Sequence, residues 1–525
     1  MKAKKVVCAL VALTLGCAVP LSACGETKDD ALNVIDDNNR NWYEVFVRSY
    51  YDSDNDGIGD LKGLAVKLDY IKEMGFNGIW LMPVCESNTY HGYDVVDYYT
   101  IEKDYGTNED FKELVQEAHA RGINVIVDMV LNHSSISNGW YQKAIAALSS
   151  GTTGENAKYI DYYNFSDEQL PGYAPVQNMT GKYYECRFDS AMPDLNLDSE
   201  AVRGEIADIL DYWLTDMDVD GFRLDACTSY YTGNVTKNVE FLTFVNETAK
   251  GIKEDAYIVG EVWEGSDAQI RQYYESGIDS CFLFTMSAGA AYGSTLKNTF
   301  SSLENQPGQY FTNLLLEYQR VYDIGTQAPF LCNHDTARAA NMLVGERQVK
   351  MGAGLLSLMN GNVFVYYGDE IGMICQDSSS DPTKRIPILW DSEITEGQVL
   401  KPPQPGINIG AKAYKYPSVA EQQADSESIL NYYKAAMRLR NRHPELARGT
   451  VASLDPPNDY VGAFKKTYDG KSIVVLVNLS EQENYTVDFS AYGDVKVVDI
   501  LDVSGKSKAS GKKLNMQPYS IAILR

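Results

Sequence analysis

Asp220-Gly221-Phe222-Arg223-Leu224-Asp225-Ala226 is the stretch on which the reading of this chain turns. It is a short apolar strand that releases an Arg and then an Asp at its C-terminal end. Alternate residues of a strand point to the same side, so Arg223 and Asp225 emerge together. A cation beside a carboxylate favours the ionised form, which is the form a nucleophile needs. On its own an Arg-x-Asp strand end is more often a structural ion pair than a catalytic one. Three further strand ends lift it above that reading. Val125-Ile126-Val127-Asp128-Met129-Val130-Leu131-Asn132-His133 is a β-branched run that delivers Asp128, Asn132 and His133. Tyr257-Ile258-Val259-Gly260-Glu261-Val262-Trp263 delivers one Glu beside an apolar indole, and Ala328-Pro329-Phe330-Leu331-Cys332-Asn333-His334-Asp335 delivers a His-Asp pair.

With these four stretches in this order the chain resembles the α-amylase family, glycoside hydrolase family thirteen, whose motifs read D-x-x-x-N-H, G-F-R-x-D, G-E and N-H-D. The resemblance runs from about Trp42 to Arg525 and implies an α/β fold. That fold is a (β/α)8 TIM barrel at 42–133 and 198–445, with an inserted domain B at 134–197 after strand 3 and a C-terminal antiparallel β-sandwich, domain C, at 446–525. Catalytic groups of such a barrel sit at the C-terminal face of its strands. The resemblance makes Asp225 the nucleophile, Glu261 the general acid/base and Asp335 the third carboxylate, with Arg223, His133 and His334 holding Asp225 and the reacting sugar. A retaining glycosidase needs one ionised carboxylate and one protonated carboxyl, so their pKa values must be driven apart. Arg223 is expected to depress Asp225, while Trp263 and two neighbouring carboxylates raise Glu261.

Other segments fit the same family. Tyr90-His91-Gly92-Tyr93-Asp94 matches its G-Y-D loop, which implies that Tyr93 stacks on the sugar and Asp94 braces the site. Asp381-Pro382-Thr383-Lys384-Arg385 looks like the loop that lines the far side of the cleft. Met192-Pro193-Asp194-Leu195-Asn196 resembles the fifth conserved region of members intermediate between oligo-1,6-glucosidases and neopullulanases.

Asp52-Ser53-Asp54-Asn55-Asp56-Gly57-Ile58-Gly59-Asp60 places carboxylates at alternate positions around a Gly turn, which is how a short loop wraps oxygen ligands around Ca²⁺. It is not an EF-hand, because Gly63 stands at the twelfth position, where a bidentate Glu is required. Resemblance to the calcium loop of oligo-1,6-glucosidase-like members assigns Asp52, Asp54, Asp56 and Asp60 as side-chain ligands and Ile58 as a carbonyl ligand. Asn132 is a candidate for a second calcium. However, Thr228 and Ser229 replace the Lys-His that many α-amylases carry there, which argues against that second ion.

Met1 to Ala23 carries Lys2, Lys4 and Lys5 and then an apolar run too short to span a membrane, and it reads as a signal peptide. Leu21-Ser22-Ala23-Cys24 resembles the lipobox of bacterial lipoproteins, which implies lipidation of Cys24, a polar tether over 24–41 and a place on the extracellular face of the cell membrane. The formal charge of −26 over 525 residues disfavours nucleic acid and anionic lipid as partners and suits a neutral substrate. The 37 Tyr supply flat rings of the kind that stack on sugars, although most belong to packing. Outside the leader and Cys24, six Cys remain, without C-x-x-C spacing, and read as mostly buried free thiols.

In the family, Val directly after the nucleophile accompanies α-1,6 cleavage, so Ala226 favours α-1,4. Little room precedes Trp42 for the domain through which dimeric neopullulanases close their sites, and an open cleft on a monomer is expected. The function these features imply is retaining, endo-acting α-1,4-glucan hydrolysis of starch-like polysaccharide or maltooligosaccharides. The alternatives are an oligosaccharide-directed α-glucosidase or neopullulanase-type hydrolase, an α-glucanotransferase, and a glycan-binding lipoprotein with a dead barrel. The presence of all three acids stands against the last.

Overall fold

The computed structural model describes residues 31–525 except 265, 286, 288–307, 394, 396 and 410–412. The leader and Cys24 lie outside the described residues. Eight parallel strands form one sheet: β1 (Asn41–Val45), β2 (Gly78–Leu81), β3 (Asn124–Met129), β4 (Gly221–Leu224), β5 (Tyr257–Gly260), β6 (Ser280–Phe282), β7 (Gln327–Ala328) and β8 (Val363–Tyr366). Their order is β7-β6-β5-β4-β3-β2-β1-β8. A parallel bridge between Phe330 and Phe364 and the bonds Asn362 N to Gln327 O and Phe364 N to Pro329 O join β7 to β8. The sheet thus closes into the expected barrel.

Alternation along the strands sorts the side chains. Leu81, Ile79, Tyr43 and Val45 face the helices, whereas Trp42, Trp80, Ile126, Tyr257, Phe282 and Phe364 fill the interior. Trp42 lies across that interior, stacked 5.1 Å from Tyr257 and 5.9 Å from Phe364. Two glycines make room at this level. A Cβ on Gly78 would stand 2.4 Å from the Trp42 ring, and one on Gly221, at φ +144°, would stand 1.9 Å from the Tyr257 carbonyl. The aromatic floor shields the residues above it from water on the lower side.

Several elements depart from their sequence reading. β1 ends at Val45, although the apolar run continues to Tyr50, because a 3-10 turn at Val47–Ser49 carries the chain toward the acidic loop. The helical segment after that loop is two short helices, Leu61–Val66 and Leu68–Glu73, meeting at Lys67. The insertion at 134–197 is less irregular than its Tyr- and Gly-rich sequence suggests. It holds a helix, Gly139–Ser150, and a small antiparallel sheet of Phe165–Ser166, Tyr183–Glu185 and Tyr173–Pro175. Tyr141, Tyr163 and Tyr184 pack edge to face at its centre. A bridge from His133 to Asp194 pins it to the barrel, and one from Tyr163 to Leu195 joins two of its own segments.

Beyond Gly449 two antiparallel sheets follow, of five and three strands. The strand Lys471–Asn478 alternates between two cores: Ile473, Val475 and Val477 pack toward the barrel, and Val474 and Leu476 toward the second sheet. Lys466 is wholly buried at the barrel side, donating to the carbonyls of Leu358 and Leu446 and to Asn360 Oδ1. Where the sequence suggested a tether, residues 31–40 run along the barrel wall. Ala31 is buried, its carbonyl accepts from Asn441 at 2.7 Å, and Asp37 accepts from Arg448. Cys85, Cys227, Cys281, Cys332 and Cys375 are buried free thiols, and Cys186 is partly exposed.

Gly78→Ala forces a methyl into the Trp42 ring and is expected to cost about 1–3 kcal/mol of stability, read as a lower melting temperature by calorimetry. An unchanged melting temperature would contradict the filled interior.

Candidate active site

β3, β4 and β5 sit in a register that sets Asp128 level with Arg223 and Arg223 level with Val259. Inward-facing residues of neighbouring strands therefore meet. Arg223, 1% exposed, brings its Nη1 to 2.6 Å from Asp128 and 2.8 Å from Asp225, and its Nη2 to 2.9 Å from Glu261. Its guanidinium faces the Trp80 ring at 5.3 Å and the Tyr93 ring at 5.8 Å. Removing an isolated cation from water costs several kcal/mol, and only close, hydrogen-bonded counter-charges offset it. Three carboxyl groups do so here.

The second oxygen of Glu261 accepts the Ala226 amide at 2.9 Å. Ala226 takes φ +52° to present that amide, a left-handed conformation that costs an L-residue about 1–2 kcal/mol and that a β-branched residue adopts still less readily. Burial pushes Glu261 up to about 7, with Asp225 and Asp335 adding to the rise and Arg223 opposing it. The rise of Glu261 with help from two neighbouring carboxylates matches expectation, and the structure adds that the guanidinium gripping Asp225 also grips Glu261.

A second charged group faces the first. His334 is wholly buried, with Nδ1 2.6 Å from Glu44 and Nε2 3.0 Å from Asp335. Burial alone would lower its pKa, but Asp335 and Glu44 raise it to about 9, so the ring is an imidazolium at neutral pH. Burial alone would raise Asp335; the charge and hydrogen bond of His334, followed by Arg385 and Arg223, hold it well below the usual carboxylate range. Arg385 reaches Asp335 at 2.8 Å. Tyr93 bridges the two groups, its hydroxyl 3.1 Å from Asp128 and 2.6 Å from His334 Nε2. Its ring lies nearly parallel to His334, 5.7 Å away.

Asp225, Glu261 and Asp335 open together into a cavity of ≈ 330 Å³, with Tyr93, His133, Trp263 and Arg385 on its walls. His133 is buried, which lowers its pKa, and its Nε2 lies 3.2 Å from the Tyr93 carbonyl. Trp263 is fixed by stacking 4.4 Å from Phe284. Asp94 is not on the wall. It accepts from Ser87 Oγ at 2.6 Å, from Thr89 Oγ1 and from the Asn88 amide, and so braces the loop that carries Tyr93. Sequence reasoning named Asp128, His91, Asp381 and Met192 within their motifs without giving them a role, and passed over Glu44 and Phe188. Glu44 could have been flagged as a single acid on the inward side of an otherwise largely apolar strand. Phe188, 50% exposed and 5.4 Å from His133, had no signal beyond its place shortly before Met192-Pro193-Asp194.

At the acidic loop, Asp52, Asp54 and Asp60 each offer a carboxylate oxygen within 4.8 Å of the others. Amides of Asn55 and Gly57 organise Asp52, and those of Ser53 and Gly63 organise Asp60. An all-oxygen donor set of this charge fits Ca²⁺. Asp56 stands apart, accepting the Ile58 amide at 2.7 Å and lying 3.8 Å from Lys401. Asn132 turns to Asp194 at 3.2 Å, tying strand β3 to the end of the insertion.

Comparison with known proteins agrees with this geometry. Residues 44–449 match the family model "Alpha amylase, catalytic domain". Alpha-amylase 3 of Dictyoglomus thermophilum is 34% identical over 491 residues, covering 92% of each chain. The oligo-1,6-glucosidase of Heyndrickxia coagulans is 28% identical over 565 residues, covering 92% of this chain and 97% of its own. The solved structure of Eubacterium rectale Amy13B superposes with a TM-score of 0.86 at 39% identity, over 94% of this chain and 96% of that one. The chain therefore belongs to the α-amylase catalytic-domain family and is a glycoside hydrolase of family thirteen.

Proposed function

We propose that this glycoside hydrolase is a retaining, endo-acting α-1,4-glucan hydrolase. It works on starch-like polysaccharide or maltooligosaccharides at the outer face of the cell membrane, as a monomer held there by lipid on Cys24. The observation that carries the catalytic part is the grip of one buried guanidinium on both Asp225 and Glu261, with burial pushing Glu261 up to about 7. Asp225 attacks the anomeric carbon while Glu261 gives its proton to the leaving oxygen. Water then cleaves the glycosyl-enzyme bond, with Glu261 now acting as base. Asp335, kept ionised by His334 and Arg385, accepts hydroxyl hydrogens of the same sugar and stabilises the positive charge that develops on it.

Ala226 and the relative named α-amylase support α-1,4 cleavage. A second reading, hydrolysis of short oligosaccharides or transfer to a sugar acceptor, draws on the relative named oligo-1,6-glucosidase and on Phe188 and Met192, which narrow the cavity from the insertion. The reading also assigns one structural Ca²⁺ to Asp52, Asp54 and Asp60, with Asp56 and the Ile58 carbonyl as the remaining ligands suggested by the family.

A time course on amylose is expected to yield mixed maltooligosaccharides with retained anomeric configuration. Asp225→Asn should lose about 10⁴-fold or more in kcat, and early release of glucose alone would favour the short-oligosaccharide reading. Because the acid is raised by its surroundings, kcat/KM should fall as pH rises past about 7 and Glu261 gives up its proton; a flat profile from pH 6 to 9 would remove Glu261 from the acid role. Chelation should lower the melting temperature by about 5 °C, reversed by added Ca²⁺ and absent in Asp54→Ala, whereas an unmoved transition in the parent would exclude a bound ion.

A further inference from the structure

Residues 31–40 are fastened to the lower end of the barrel, where the strands begin. The Ala31 carbonyl accepts from Asn441 at 2.7 Å, and Asn441 in turn accepts from Asn41, the first residue of β1, at 2.9 Å. Leu32 packs against Gly122, just before β3, where a Cβ would stand 3.1 Å from its Cδ1. Arg40 reaches the Asn77 carbonyl, just before β2, at 3.2 Å, and its amide donates to Asn362, just before β8, at 2.8 Å. Asn38 donates to the Asp255 carbonyl, just before β5, at 2.9 Å. Arg448 adds bonds to Asp37 and to the Asn39 carbonyl. All of this lies at the opposite end of the strands from the mouth where Asp225, Glu261 and Asp335 open together.

These contacts fix the place from which the chain leaves for Cys24. Only residues 25–30 lie between Cys24 and Ala31, and seven steps of backbone span at most about 25 Å. A body of this length has a radius of gyration of about 23 Å, hence a width of about 60 Å. A link shorter than the half-width lets the body tilt onto its side but not roll over. The formal charge of −26 gives it no attraction to anionic headgroups that would compete with the link.

We propose that the lower end of the barrel is the membrane-facing surface of this protein, and that the catalytic mouth is held turned away from the lipid. This rests on the proposed lipid on Cys24 and deepens that reading, because residues 31–40 act as a fixed joint and not as slack in the anchor. The mouth then meets polymer that arrives from the surrounding medium.

The test places a donor fluorophore at one end or the other of the lipidated full chain, bound to phosphatidylcholine vesicles that carry acceptor-labelled lipid. Cys186→Ser removes the partly exposed thiol and leaves the buried ones. Glu254→Cys labels the lower end next to Asp255, and Leu170→Cys labels the insertion that rises from the mouth; both positions are exposed. With most of the body's width between the two labels, energy transfer from Glu254→Cys is expected to exceed that from Leu170→Cys at least about twofold. Forty Gly/Ser residues inserted between Asp30 and Ala31 raise the r.m.s. reach of the link to about 37 Å. The ratio should then fall toward one, with turnover of maltotriose unchanged. Equal transfer in the parent, or stronger transfer from Leu170→Cys, overturns the orientation while leaving the anchor intact. A ratio untouched by the insertion overturns the short link as its cause. A parent chain that stays in solution when the vesicles are floated, as Cys24→Ala should, instead sinks the anchoring reading and the orientation with it.

Discussion

Burial of Arg223 at the mouth of the barrel is the constraint around which the site is built. A guanidinium with 1% exposure is tolerable only inside a cage of counter-charges, and Asp128, Asp225 and Glu261 form that cage from three adjacent strands. One cation shared among three carboxyl groups favours ionisation of Glu261 and Asp128 without offsetting their burial. Burial therefore prevails at Glu261, which is pushed up to about 7, and at Asp128, which is pushed up to about 6 against the pull of Arg223.

The opposite wall obeys the same logic with the signs reversed. Glu44 from β1 and Asp335 after β7 enclose His334 and keep its proton on; that imidazolium together with Arg385 keeps Asp335 ionised. Trp42, Trp80 and the phenylalanines beneath supply the apolar floor that prevents water from screening either cluster. Tyr93 connects the two clusters through its hydroxyl, so a shift in one is felt by the other. Asp94, which touches neither cluster, matters because it holds the loop on which Tyr93 stands.

How much of this was legible beforehand depended on the range of the interaction involved. Period-two alternation in Gly221-Phe222-Arg223-Leu224 shows that Arg223 and Asp225 share a side, because that is a property of any strand. The break at Lys67 and the end of β1 at Val45 were not visible, since both answer to the acidic loop packed between them rather than to local propensity. Strand Thr450–Ser453 of the C-terminal domain has a single buried residue, Val451, so no alternation marks it until a partner strand is in place. Residues 31–40 look like a solvated linker by composition. What fastens them is Asn441 and Arg448, some four hundred residues away.

From sequence alone came the class of fold, the four strand ends and the three candidate acids, because strand periodicity and the order of motifs that carries the family resemblance are local and survive without coordinates. Only tertiary structure decided that one guanidinium grips both Asp225 and Glu261, that Glu44 joins Asp335 in charging His334, that Asp56 stands outside the tight acidic cluster, and that a second depression shares His91 with the reacting cavity. Each of these depends on the register between strands and on what excludes water from a given atom. Those quantities are set by packing across the whole chain and are not encoded in any short stretch of it.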